Sequence, residues 1–337
     1  MKYNPALDGL RAISVLLVVA FHSNLPLVPG GMIGVDIFFV LSGFLITAIL
    51  RQEIERKDTL SLTTFYGRRL MRLWPPLIAF LVAFYLAAPF LFPKDDANLE
   101  VLLAGLYLSD YSHILFGMPS AVSHTWSLAV EQQFYLLWPL ALLALRKVSV
   151  GTAIALLAAS FLFATCWRMA DRLIWDDWYR TYFRFDTRLS GLILGSLMAF
   201  VDWKPRAPLA GAIGALSICV LVALSVSLQF GTAGSMTWGS LTADFAAAGL
   251  ILSLTATQQT RHYRMLSHPA LVYIGVISYS IYLWHYPVAK ALRAETSPLV
   301  TFVITSAFAI LAAMLSYRLI ERPVLALRQR HAVASPR

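Results

Sequence analysis

The chain is written as a succession of apolar stretches of about 18 to 22 residues, the length an α-helix needs to cross a hydrocarbon layer roughly 30 Å thick. A segment in lipid must satisfy its own backbone N–H and C=O groups, and stretches of this length do so as helices. The sequence therefore reads as an all-α integral membrane protein. Its bundle of about ten transmembrane helices is expected at residues 8–28, 31–50, 73–92, 126–145, 150–167, 185–202, 208–229, 239–256, 271–291 and 299–319. Composition agrees: 58% of residues are apolar and 13% are charged, where soluble domains have about a quarter charged. Segment 99–115 is short and interrupted by Asp110, so it is expected to be re-entrant or to lie at the surface. The first run lacks a small-residue cleavage pattern and is expected to remain as a helix. Residues 1–337 are read as a single transmembrane domain.

The net charge of +9 invites a nucleic-acid reading, but the basic residues are not gathered in a soluble module. They sit in short loops, where they encode topology. With ten crossings and a cytoplasmic N-terminus, eighteen of the 27 Lys and Arg fall on the cytoplasmic side and seven on the other. Both termini are thus expected in the cytoplasm, with segments 93–125 and 168–184 outside. Cys166 and Cys219 lie in apolar segments without metal-ligand spacing and are read as packing residues.

Ionisable groups inside such stretches are costly, which makes each a functional candidate. "LDGLRAISVLLVVAFHSN" carries Arg11 and His22. Eleven helical residues put them on one face to within roughly 20° and about 16 Å apart. Snorkelling by Arg11 and a helix–helix bond from His22 are the plainer alternative. In "GGMIGVDIFFVLSGFLIT", Asp36 lies about one turn inside the outer boundary. It either orients His22, as a carboxylate does in hydrolase triads, or complements a helix N-terminus. Arg69 and Arg72 share a helix face with Arg68 beside them, suited to a phosphate-bearing ligand or to anchoring at the cytoplasmic boundary.

"SHTWSLAVEQQFYLLWP" sets His124, Trp126 and Ser127 at an outer mouth, with Glu131 and Tyr135 on one face below. Aromatic belts explain the rings but not the glutamate. Asp186 and Arg188 open the sixth span and are able to neutralise one another. Ser278, Tyr282 and His285 form a polar stripe in the ninth, which is helix glue or part of a site. Read alone, this chain of polar groups fits a proton relay, a transporter or a transmembrane group-transfer enzyme.

The motifs together, in order along the whole chain, resemble acyltransferase family 3, which contains bacterial polysaccharide O-acetyltransferases. They are "LDGLRA" with the Arg11–His22 spacing, "GGMIGVDIFFVLSGFLIT", "RRLMRLWP", "HTWSLAVEQQFYLLWP", "FRFDTRLSGLILG", "ISYSIYLWHYPV" and "ERP". Gln132 stands where many members have a second glutamate. The resemblance implies a multi-pass protein of the bacterial cytoplasmic (inner) membrane. It implies an acyl donor, acyl-CoA and usually acetyl-CoA, and a carbohydrate or glycolipid acceptor. His22 and Arg11 are then essential, and Arg69 and Arg72, with Arg68, engage the donor. His22 either removes a proton from the acceptor hydroxyl or carries the acyl group. Asp36 and Glu131 are expected to tune it. Trp126, Tyr135, Ser127, Tyr282, His285 and Arg188 are expected on the substrate side, and no metal is called for. The alternative, a transporter or donor carrier without chemistry, predicts inverted repeats, and none is visible in the sequence.

Overall fold

The structure is a computed structural model that describes residues 3–116 and 121–326, the His113 side chain excepted. Its helices are α1 (Pro5–His22), α2 (Ile33–Lys57), α3 (Leu62–Leu91), α4 (Ala97–Gly105), α5 (Ser112–Phe116), α6 (Trp126–Leu145), α7 (Val150–Trp175) and α8 (Trp178–Phe183). They continue with α9 (Leu189–Met198), α10 (Ala207–Ser227), α11 (Ser240–Ala256), α12 (Arg261–Leu266), α13 (Pro269–Val276), α14 (Ser278–Leu292) and α15 (Pro298–Ser316). There is no strand among the described residues. Side chains that accept from a backbone N–H in the first turn start many of them: Asn4 for α1, Ser61 for α3, Asp96 for α4, Ser149 for α7 and Ser297 for α15.

Eight helices among the described residues are long and apolar enough to cross a membrane. The other two expected spans differ from the sequence reading. Span 185–202 holds a helix of ten residues, α9, and span 271–291 is split at Ile277 into α13 and α14. Segment 99–115 contains only α4 and the first turns of α5, both far shorter than a crossing. Conversely, α7 runs to Trp175, so Arg168, expected in an outer loop, lies inside a helix. Cys166 and Cys219, read as packing residues, are free and exposed. The cytoplasmic assignment of the chain ends includes residues 1–2 and 327–337, which lie outside the described residues.

α2 is the axis of the bundle: 72% of its apolar window is buried, against 28% in α7 and in α15, which face outward. It packs along α9, flanked by α1, α6 and α11. The α2–α9 contact needs glycine. A Cβ on Gly195 would stand 1.9 Å from the Val40 carbonyl oxygen, and one on Gly43 2.0 Å from that of Leu192. Small residues let two backbones touch where lipid supplies no hydrophobic drive. On its other side α1 meets α13 and α14, so α1 stands between α2 and α14.

Candidate active site

His22 is the last residue of α1. The helix is closed there by Ser23, whose hydroxyl donates to the Val19 carbonyl at 2.8 Å, and the chain turns at Asn24, φ 55°. Asparagine is among the few residues that adopt this conformation readily. The turn leaves the His22 ring half-buried, at the wall of a cavity of about 380 Å³.

Across from it, α14 presents Tyr282, His285 and Tyr286 on one face. The His22 and His285 rings stack at 5.1 Å, with His22 Nδ1 2.8 Å from His285 Nε2. His285 Nδ1 lies 2.7 Å from the Tyr282 carbonyl oxygen. A carbonyl only accepts, so His285 Nδ1 carries the proton and, with both rings neutral, His285 Nε2 accepts from His22 Nδ1. The remaining nitrogen of His22, Nε2, therefore keeps its lone pair. His285 is fully buried, so this orientation is held by packing as well as by hydrogen bonds.

Proline completes the arrangement. Pro287 has no N–H, which frees the carbonyl of Leu283 four residues earlier. His124 Nε2 donates to that carbonyl at 3.1 Å. The His124 ring then stacks on Tyr286 at 5.0 Å, and Tyr286 stands edge-on to His22 at 4.7 Å. Ser123 Oγ donates to the Tyr286 hydroxyl at 3.0 Å. The three histidines do not converge as ligands: among the described residues no group of three His, Cys, Asp or Glu is placed to hold a metal ion.

The far wall of the His22 cavity is aromatic. Trp126 meets Tyr182 at 4.9 Å, and Phe230 meets Tyr182 at 5.3 Å. Their support is ionic. Asp36 Oδ1 accepts from Arg188 at 2.9 Å, and the Arg188 guanidinium lies under Tyr182, Trp126 and Phe39 at 4.9, 5.5 and 5.7 Å. Arg188 also donates to Ser240 at 3.3 Å. Beside it Arg168 donates to Ser190 at 2.7 Å, and Ser190 in turn to Asp244 at 2.8 Å. The network ties α2, α7, α9 and α11 together behind the aromatic wall.

A second, smaller cavity of about 130 Å³ lies toward the other end of α1. Arg11, Arg69 and Arg72 line it. The Arg69 guanidinium covers the Tyr135 ring at 4.5 Å, and Glu131 Oε1 accepts from the Tyr135 hydroxyl at 2.5 Å and from Ser42. Arg11 is 3.9 Å from Asp8. The two cavities share Val35 and Tyr282. Between them the Tyr282 hydroxyl donates to the His124 carbonyl at 2.8 Å and lies 2.6 Å from Ser127 Oγ.

The expected site residues thus divide between two chambers. His22 and Trp126 line one, Arg11, Arg69, Arg72, Glu131, Tyr135 and Ser127 the other, and Tyr282 both. Arg68 is exposed and lines neither. Asp36 is bonded to Arg188 rather than to His22, whose ring is oriented by His285 instead. Glu131 faces the arginines, and Tyr135 sits with it rather than among the aromatic rings of the His22 chamber. Asp186 pairs with Arg184, not with Arg188. Sequence reasoning passed over Tyr286, Arg168 and Asp244. Pro287 is a signal in the sequence that the Leu283 carbonyl, which His124 meets, lacks its helical partner.

A family model, described as an acyltransferase domain, matches residues 4–318. The chain belongs to acyltransferase family 3. It is 33% identical to the peptidoglycan O-acetyltransferase OatA of Listeria monocytogenes, over 96% of this chain and 56% of that protein. It is 32% identical to the O-acetyltransferase OatA of Staphylococcus aureus, over 96% of this chain and 57% of the relative. The chain therefore spans little more than half the length of these relatives. No solved structure matches it.

Proposed function

We propose that this family member is a membrane O-acyltransferase, moving an acyl group, acetyl in the first instance, from acyl-CoA to a carbohydrate hydroxyl. The reading counts α9 and the α13–α14 pair as crossings, ten in all, with both termini in the cytoplasm of a bacterium and the arginine chamber toward that side. The observation that carries it is the His22–His285–Tyr282 carbonyl relay, which leaves a basic nitrogen open to a cavity walled by aromatic rings. Aromatic faces suit the apolar face of a sugar, and an imidazole of fixed tautomer suits a hydroxyl that must lose its proton.

The donor is anionic and cannot enter lipid. Arg69 and Arg72 hold its phosphates at the arginine chamber, with Arg11 deeper along α1. The narrow pantetheine arm passes the Tyr282–Ser127 contact and brings the thioester to His22. His22 Nε2 takes the acceptor proton while the acceptor oxygen forms a bond to the thioester carbonyl carbon. The C–S bond then breaks, and the departing thiolate takes the proton from His22. Ser123 already donates to the Tyr286 hydroxyl, so that hydroxyl's own hydrogen is available to the oxyanion.

The test is thiol release from acetyl-CoA by the purified chain in lipid nanodiscs, with and without an envelope-glycan extract. Release that requires both the extract and His22 supports the proposal. Equal release by wild type and His22→Ala contradicts it.

A further inference from the structure

The His22 cavity has a charged member that the transfer step does not use. Arg293 follows directly on α14 and lies exposed at the cavity rim. Its guanidinium carbon is 6.0 Å from the centre of the Tyr286 ring, and that ring is 4.7 Å from the ring of His22. One aromatic ring is thus the spacer between a permanent cation and the nitrogen that accepts the proton.

The contrast with Lys290, one turn earlier, is informative. Lys290 donates to Asp95 at 2.9 Å and is neutralised by it. Among the described residues Arg293 forms no ion pair, although Glu295 is only two residues away. The rest of the cavity lining is aromatic, aliphatic, thioether, hydroxyl, amide and imidazole. Arg293 is its one permanently charged side chain. A planar guanidinium with free donors is built to take a carboxylate or phosphate in two parallel hydrogen bonds.

We propose that the acceptor is an anionic saccharide: its acylated hydroxyl stands at His22 while a carboxylate or phosphate on the same or the adjoining sugar binds Arg293. This rests on the acyltransferase reading and deepens it. The charge also bears on the chemistry. With a neutral acceptor, Arg293 opposes the imidazolium that forms on His22 during transfer, the two charges standing on either side of the Tyr286 ring. A bound anion offsets that repulsion, so an anionic acceptor gains in turnover as well as in binding.

The experiment measures saccharide binding by calorimetry on the full chain in nanodiscs of zwitterionic lipid. The probes are a neutral glucose tetrasaccharide, a counterpart bearing one uronic acid and a counterpart bearing one phosphate. The proteins are wild type, Arg293→Lys, Arg293→Gln and Arg293→Glu, with His22→Ala added for the thiol-release arm, in which acetyl-CoA is supplied. Wild type is expected to bind the anionic probes about tenfold more tightly than the neutral one, an advantage that shrinks at high salt. The preference should be reduced in Arg293→Lys, vanish in Arg293→Gln and reverse in Arg293→Glu. A stronger response to the uronic acid or to the phosphate assigns which anion is read. Equal or absent binding of charged and neutral probes by wild type overturns the proposal, as does a preference that survives in Arg293→Gln. Thiol release is followed on the same samples. His22-dependent release that is indifferent to Arg293 removes only the anion claim, whereas loss of His22 dependence removes the acyltransferase reading itself.

Discussion

The two chambers along α1 solve different problems with different materials. At the His22 end, with the exposed Arg293 at the rim as its one cation, the two histidines are hydrogen-bonded to one another and stacked, so that one nitrogen is aimed and left free. At the arginine end three cations line one small cavity, with Asp8 3.9 Å from Arg11 and Glu131 held by hydroxyls. An aimed neutral base is what proton transfer needs; a concentration of unspent positive charge is what anion capture needs. On the proposed function, chemistry belongs to one end and donor affinity to the other, and mutations are expected to separate along that line.

The largest effect belongs to His22→Ala, expected to lower the rate of acyl transfer about 10³-fold while the protein still assembles in membranes. Next is His285→Phe, which keeps a ring but removes the acceptor for His22 Nδ1–H. It is expected to cost about 10²-fold in kcat with the KM for acetyl-CoA unchanged, and His285→Gln, which restores an acceptor, should recover part of the loss. Steady-state kinetics on both variants checks this. At the other end the split reverses. Arg69→Ala and Arg72→Ala are each expected to raise the KM for acetyl-CoA about tenfold with little change in kcat. A kcat loss there, or a KM effect at His285, breaks the comparison.

The smallest effect on turnover is expected from Asp36→Asn. Asp36 supports the aromatic wall through Arg188 and does not touch His22, so activity per folded molecule should stay within about threefold. Stability should suffer more, because breaking a buried ion pair by removing one partner costs about 3–5 kcal/mol. A thermal melt in detergent reads that loss. A turnover collapse in folded Asp36→Asn would return the carboxylate to the catalytic group.

These assignments also mark what a sequence can and cannot disclose. The same-face spacing of Arg11 and His22 is local geometry within one helix, and it was legible. So was the stripe of Ser278, Tyr282 and His285, although its partner was not. The His22–His285 bond joins residues 263 apart in the chain, and Asp36 meets Arg188 across 152. Spacing within a helix says which way a side chain points, never which distant helix stands opposite. Asp36, about one turn inside the outer boundary, is therefore read from sequence as a partner of His22 or of its own helix N-terminus, and Arg188 is not in view. Helix extents failed for a related reason. Apolar residues continue past α9 to Phe200 and Val201, so hydropathy draws one long span where the helix stops at Met198. Arg168 looked like a loop residue because a charge normally ends a span. Here Arg168 donates to Ser190, which donates on to Asp244, so a carboxylate stands behind its buried charge.

The central claim is that donor and acceptor meet from opposite ends of α1, and sidedness tests it most directly. In sealed proteoliposomes of defined orientation, acetyl-labelled acetyl-CoA is confined with the arginine chamber and a glycan acceptor with the His22 chamber. Label is predicted to appear on the glycan across the bilayer in wild type and to be absent in His22→Ala. Labelling only when donor and acceptor share one compartment would contradict the account.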